Sequence, residues 1–144
     1  MPGIIGFGKA CQIALERITS GKFNGLERLR DRLQGEIGKL IPNVEYFGCS
    51  KNRLPNTLSC GFEGVNGEAL FIALDMEGIS VSTGSACSSG TGVPSKVLSA
   101  MELPLSKINS SLRFSLGWEN TIEDIDFVVK VLAKAVKIGR RKFL

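Results

Sequence analysis

Ser110-Ser111-Leu112-Arg113-Phe114-Ser115-Leu116 alternates by twos, with Leu112, Phe114 and Leu116 falling on one side and Ser111, Arg113 and Ser115 on the other. A strand has a side-chain period of two, so this stretch predicts a sheet with one apolar and one polar face. The apolar face needs helices to cover it, and the chain supplies them on both sides. Downstream, Ile122, Ile125, Val128, Val129, Leu132 and Val136 form an apolar helical stripe. Thr121 stands before it as a cap, with Glu123 and Asp124 near the positive helix end.

Upstream, Pro94 suits the first turn of a short helix through Met101, and Ile79 to Ser82 reads as a further strand. Asn66 caps a helix whose Ala69, Leu70, Ala73 and Leu74 are expected to face inward, and Gly78 stops it. Val44 to Phe47 and Thr57 to Phe62 are β-rich runs around a loop containing Pro55 and Asn56. From Lys22 to Ile41, Leu26, Leu29, Leu33, Ile37 and Leu40 recur at helical spacing until Pro42 ends the run. Ile4 to Ile18 reads as a first helix with Ala10, Ile13, Ala14 and Ile18 on one face. The expected fold class is α+β, a small and mostly antiparallel sheet covered by helices, in a single domain over residues 1–144.

The 144 residues are 43% hydrophobic and 22% charged, enough apolar material for a buried core. The net charge of +4 is interleaved, as in Glu27-Arg28-Leu29-Arg30-Asp31-Arg32, which is a solvated helix face and not a phosphate-binding stripe. No nucleic-acid partner is expected. No run approaches the roughly 18 apolar residues of a membrane helix, and the first residues lack the basic start of a signal peptide, so no membrane and a cytoplasmic location are expected.

The chain has no histidine, and its four cysteines, Cys11, Cys49, Cys60 and Cys87, form no C-x-x-C pair. No metal site is expected, and a Ser-His or Cys-His catalytic pair is excluded within this chain. Cys11, Cys49 and Cys60 lie in or beside apolar patterns and are expected to pack. Cys87 differs, because Gly84, Ser85, Ala86, Ser88, Ser89 and Gly90 surround it with small residues that build no core. They predict a flexible loop with an accessible thiol. A phosphate cradle is the rival reading, but the run lacks G-x-x-x-x-G-K-[ST] and the helix after it opens with Pro94, which has no N–H. Arg113, on the polar side of its strand, could grip a carboxylate in two parallel hydrogen bonds, a surface ion pair being the alternative.

These segments resemble the cysteine desulfurases of the NifS/IscS-like group, within the class-V aminotransferase family. The resemblance rests on Ser82-Thr83-Gly84-Ser85-Ala86-Cys87-Ser88-Ser89-Gly90, then Pro94-Ser95-Lys96-Val97-Leu98, then Ser111-Leu112-Arg113-Phe114-Ser115-Leu116-Gly117. Pro2 to Ala10 and Val65-Asn66-Gly67-Glu68-Ala69-Leu70 extend it, with Asn66 where the family often has an acidic residue. It implies the C-terminal small domain of a fold-type I pyridoxal-phosphate-dependent transferase, with residues 1–20 as a connecting helix from an absent large domain.

It further implies that Cys87 attacks the sulfur of L-cysteine, holds it as a persulfide for iron–sulfur cluster assembly or another sulfur-transfer pathway, and leaves L-alanine, while Arg113 holds the substrate carboxylate. Pyridoxal phosphate is the family cofactor. Its lysine and histidines belong to the large domain, so no cofactor-binding residue is assigned here, no covalent hold is expected and the chain alone is expected to be inactive. The implied partners are that large domain, a sulfur acceptor or scaffold protein, and a second subunit in the intact homodimeric enzyme. A fragment, a separately expressed domain and half of a split enzyme all fit. Other readings are a non-catalytic docking module using the last helix and its basic end, a thiol redox sensor, and a structural fragment that self-associates.

Overall fold

The computed structural model describes residues 1–21, 23–83 and 94–141. The elements run α1 (Pro2–Thr19), α2 (Phe23–Leu40), β1 (Val44–Phe47), β2 (Thr57–Phe62), α3 (Gly67–Asp75), α4 (Lys96–Ala100), α5 (Leu105–Asn109), β3 (Ser111–Ser115) and α6 (Ile122–Arg141). The three strands form an antiparallel sheet in the order β1-β2-β3. Tyr46 stands opposite Cys60, and Cys60 opposite Leu112. The period-two expectation for β3 is met from Leu112 to Ser115, with Leu112 and Phe114 buried, Arg113 half-buried and Ser115 exposed, but Ser111, expected on the polar face, is buried, its hydroxyl donating to the Ile108 carbonyl at 2.7 Å.

One sheet face, carrying Leu58, Cys60, Phe62, Leu112 and Phe114, meets Leu33 and Ile37 of α2, Leu70 and Leu74 of α3, and Ile125, Val129, Leu132 and Val136 of α6. Each such aliphatic side chain stabilises the fold by about 1.5–3 kcal/mol through removal from water. Polar ties bind the covering helices. Arg32 of α2 donates in a fork to Asp126 of α6 at 2.8 and 3.0 Å, and Tyr46 donates its hydroxyl to the Gln34 carbonyl at 2.8 Å. Near the end of α6, Arg140 donates to the carbonyls of Glu63 and Pro42 at 2.9 and 2.8 Å and, longer, to that of Asn43.

The caps behave largely as read. Thr121 Oγ1 accepts the Asp124 N–H while Asp124 Oδ2 accepts the Thr121 N–H, a reciprocal box at the head of α6. Asn66 Oδ1 accepts the Ala69 N–H at 3.0 Å. Gly78, at φ +77°, lets the chain turn back so that Ile79 N–H reaches the Leu74 carbonyl at 3.0 Å.

Several expectations are corrected. Ile79 to Ser82 is no strand. The turn at Gly78 ties Ile79 to α3, and the segment meets β3 only at a single bridge, Ser82 with Arg113. Pro94 precedes the short helix without opening it; Ser95 is its cap, accepting the Leu98 N–H. The five-residue α5 was not anticipated.

Inward faces also differ in detail. Ala69 is exposed, Ala73 only half-buried, and Gly67 takes the buried place, because a Cβ there would stand 2.9 Å from the carbonyls of both Asn109 and Ser111. Ile122 and Leu40 are exposed and Leu29, Val128 and Leu116 half-buried. On α1 only Ile13 and Arg17 are half-buried, while Ala10, Ala14 and Ile18 are exposed. Its Ile4, Phe7, Leu15 and Ile18 stand 73%, 72%, 62% and 57% exposed.

Candidate active site around Arg113

Arg113 lies in the middle of β3, on the face turned away from the core, opposite Ser59 of β2. Its other edge is taken by Ser82: Arg113 N–H donates to the Ser82 carbonyl at 2.8 Å and Ser82 N–H returns to the Arg113 carbonyl at 3.1 Å. These paired bonds fix the backbone on which the guanidinium stands. They also bring Ser82 and Thr83, which lead into the Cys87 segment, against the arginine strand.

The guanidinium itself is sparsely used. Nη2 donates to Ser82 Oγ at a long 3.4 Å, and Nε is buried with no hydrogen-bond partner among the described residues. A buried, unmatched N–H is costly, because it has left water without replacement. A planar fork with free donors is suited to a carboxylate. Arg30, 3% exposed, contrasts with it, contacting Asp31, Glu27 and the Leu54 carbonyl; Arg53 also has a buried, unmatched Nε, but its Nη2 is held by Gln34 Oε1 at 2.8 Å.

Cys87 and the neighbouring Gly84, Ser85, Ala86, Ser88, Ser89 and Gly90 lie outside the described residues. The expected packing of the other cysteines holds only for Cys60, which is buried in the sheet and whose thiol is pushed far up by that burial. Cys11 and Cys49 are exposed. The Cys49 thiol is held below its ordinary range, chiefly because its sulfur accepts the Asn52 N–H at 3.4 Å, with the Lys51 N–H and the Arg53 charge adding to the effect. The cue was available in the sequence, since Gly48 ends the apolar run just before Cys49 and Ser50-Lys51-Asn52-Arg53 follows it. Ser82 as the clasp of Arg113 was also missed, because pairing of one residue leaves no periodicity to read.

Among the described residues no cluster of three potential metal ligands occurs and no helix is long and apolar enough to cross a membrane. The basic end of α6 is partly committed, since Arg140 is spent on backbone carbonyls.

The family model described as aminotransferase class-V matches residues 1–128. Curated relatives include a cysteine desulfurase IscS of Clostridium botulinum, 45% identical over 96% of this chain and 35% of its own length. The corresponding protein of Dictyoglomus turgidum is 42% identical over 94% of this chain and 34% of its own. Among solved structures, a NifS-like protein superimposes with a TM-score of 0.81 at 29% identity, over 95% of this chain and 34% of that one. A NifS-like protein from Rickettsia africae gives 0.79 at 28% identity. The chain thus spans about a third of the length of the relatives it matches.

Proposed function

Because this chain belongs to the aminotransferase class-V family, we propose that it acts as the sulfur-accepting domain of a cysteine desulfurase, with Cys87 as nucleophile and Arg113 as the grip on the substrate carboxylate. The observation that carries the reading is the Arg113 guanidinium, rigidly mounted on β3, with a buried Nε that has no partner among the described residues. A substrate carboxylate would satisfy that donor. Cys87 follows Ser82 by five positions, and five extended residues span about 18 Å at most, so covalent linkage keeps the thiol within reach of the arginine.

The reaction balances as a transfer of sulfur from L-cysteine. The Cys87 thiolate forms a bond to the substrate sulfur, the substrate C–S bond breaks with its electron pair left on carbon, and a proton taken up there gives L-alanine. The outer sulfur then passes to an acceptor protein.

Pyridoxal phosphate, which the resemblance implies as cofactor, does not fit the described residues. Their lysines are exposed except Lys107, which is half-buried and paired with Glu45 at 2.6 Å, so none offers a desolvated amine for a covalent bond. Its site belongs, in this reading, to the length of the relatives that this chain does not span, with residues 1–20 as the connection. The chain alone is inactive in this reading.

The test is reconstitution with the complementary two-thirds of a relative, following alanine release from L-cysteine. Turnover is expected with the unmodified chain, none with Cys87→Ser, and a loss in kcat/KM on the order of 100-fold with Arg113→Ala, matching about 3 kcal/mol for a charge-assisted contact. Turnover by the Cys87→Ser protein, or unchanged kinetics in Arg113→Ala, overturns the assignment.

A further inference from the structure

Two hydroxyl residues flank Arg113 on the sheet face turned away from the core. Ser59 stands opposite it in β2 and Ser82 opposite it across the single bridge, and residues directly opposite in antiparallel pairing project to the same side. Among the described residues only Ser82, itself half-buried, bonds the guanidinium: its Oγ accepts from Nη2 at 3.4 Å, while Nε stays unmatched.

That division has a meaning in the build of a guanidinium. Nη2 carries two N–H groups in the plane of the fork. One runs parallel to Nε–H and makes with it the side-on edge for a carboxylate, and the other points away from Nε. An acceptor seated on that edge meets Nε and Nη2 together, as Asp31 Oδ1 does with Arg30 at 3.0 and 2.7 Å and Asp126 Oδ1 with Arg32 at 3.1 and 2.8 Å. Ser82 Oγ meets Nη2 alone. It therefore lies off the edge and leaves the edge open.

We propose that Ser82 is a positioning residue for Arg113. By holding Nη2 through the N–H that points away from Nε, it sets the rotation of the guanidinium plane so that the Nε–Nη2 edge, and not the Nη1–Nη2 end, faces the substrate carboxylate. This role rests on the carboxylate grip read for Arg113 above, and side-on pairing is the geometry that also satisfies the buried Nε. Mounting and aiming are separate functions of one residue. The reciprocal bonds of 2.8 and 3.1 Å belong to the backbone and do not depend on the side chain at position 82, whereas the aim belongs to the hydroxyl. Its bond is long at rest, as such contacts are before a ligand tightens them.

Two measurements test the role. In the full chain, rotation about the Arg113 Cζ–Nε bond, read from guanidinium nitrogen NMR line shapes, should quicken about five-fold in Ser82→Ala, the factor that one lost hydrogen bond allows. Ser82→Thr should restore the slow rate, and Ser82→Val, the same shape without the hydroxyl, should not. In the enzyme reconstituted with the complementary two-thirds of a relative, Ser82→Ala and Ser82→Val should raise KM for L-cysteine about five-fold with kcat within about two-fold, and Ser82→Thr should not. In an Arg113→Ala background Ser82→Ala should add nothing, because no guanidinium is left to orient. Unchanged rotation in Ser82→Ala and Ser82→Val overturns the inference whether or not the reconstituted enzyme turns over. A normal KM in those variants, or the same rise in KM without Arg113, overturns it while the Arg113 grip stands; unchanged kinetics in Arg113→Ala overturn the grip and this role with it.

Discussion

The last and first helices are close in length, 20 residues in α6 and 18 in α1, and both carry apolar residues at helical spacing. Yet α6 buries Ile125, Val129, Leu132 and Val136, whereas α1 buries nothing. They differ at their heads as well: α6 opens on the reciprocal Thr121–Asp124 box, while α1 has no side-chain cap and no acidic residue in its first turn. An amphipathic pattern states that a face is to be covered, but leaves open which surface covers it. Burial in α6 is decided within the domain, whereas the same pattern on α1 stays in water.

The sharpest way to break the comparison is at Leu132, which is fully buried where α6 meets α2, α3 and the sheet. Leu132→Ala should destabilise the domain by about 3 kcal/mol through lost burial and a residual cavity, seen as a lower urea midpoint. A cost under about 1 kcal/mol would mean that the α6 seam is as loose as α1.

A smaller effect is expected at the α6 cap. The Thr121 N–H and neighbouring groups hold the Asp124 carboxyl below its ordinary range, so the folded state favours the charged form. That contribution is fully present above the unfolded value of about 3.9 and is lost as pH falls through the lowered folded value. Asp124→Asn should therefore lower Tm at neutral pH and flatten its fall between about pH 5 and 2, followed by circular dichroism across that range. The smallest change is expected at Leu15 of α1, where Leu15→Ala in dilute solution should alter stability by no more than about 0.5 kcal/mol, because the side chain already sits in water.

The same contrast explains what was legible in the sequence. β1 and β2 were bounded correctly because Val44–Phe47 and Thr57–Phe62 are short β-rich runs enclosed by turn residues. β3 announced itself by alternation, and α6 by its stripe and cap. The α5 helix, Leu105–Asn109, was not read although Pro104 stands before it much as Pro94 stands before the equally short α4, and the Ser82 clasp is a single bridge that leaves no period. The inward face of α3 was misread at Ala69 because the chain makes its closest approach through Gly67, where packing against Asn109 and Ser111 carbonyls leaves no room for a side chain. Of the candidate site, Arg113 could be placed on the correct face from its neighbours alone. Its unmatched Nε could not, since it depends on what the other described residues bring near.

Arg140 holds the carbonyls of Pro42 and Glu63, partners 98 and 77 positions earlier in the chain. During synthesis these oxygens therefore wait for nearly the whole domain to be translated before their donor exists, and α6 roofs the sheet only in the same final interval. A nascent chain stalled before residue 122 would carry a sheet whose apolar side is bare, a species for chaperones to hold, so that this fold closes only once α6 has been made.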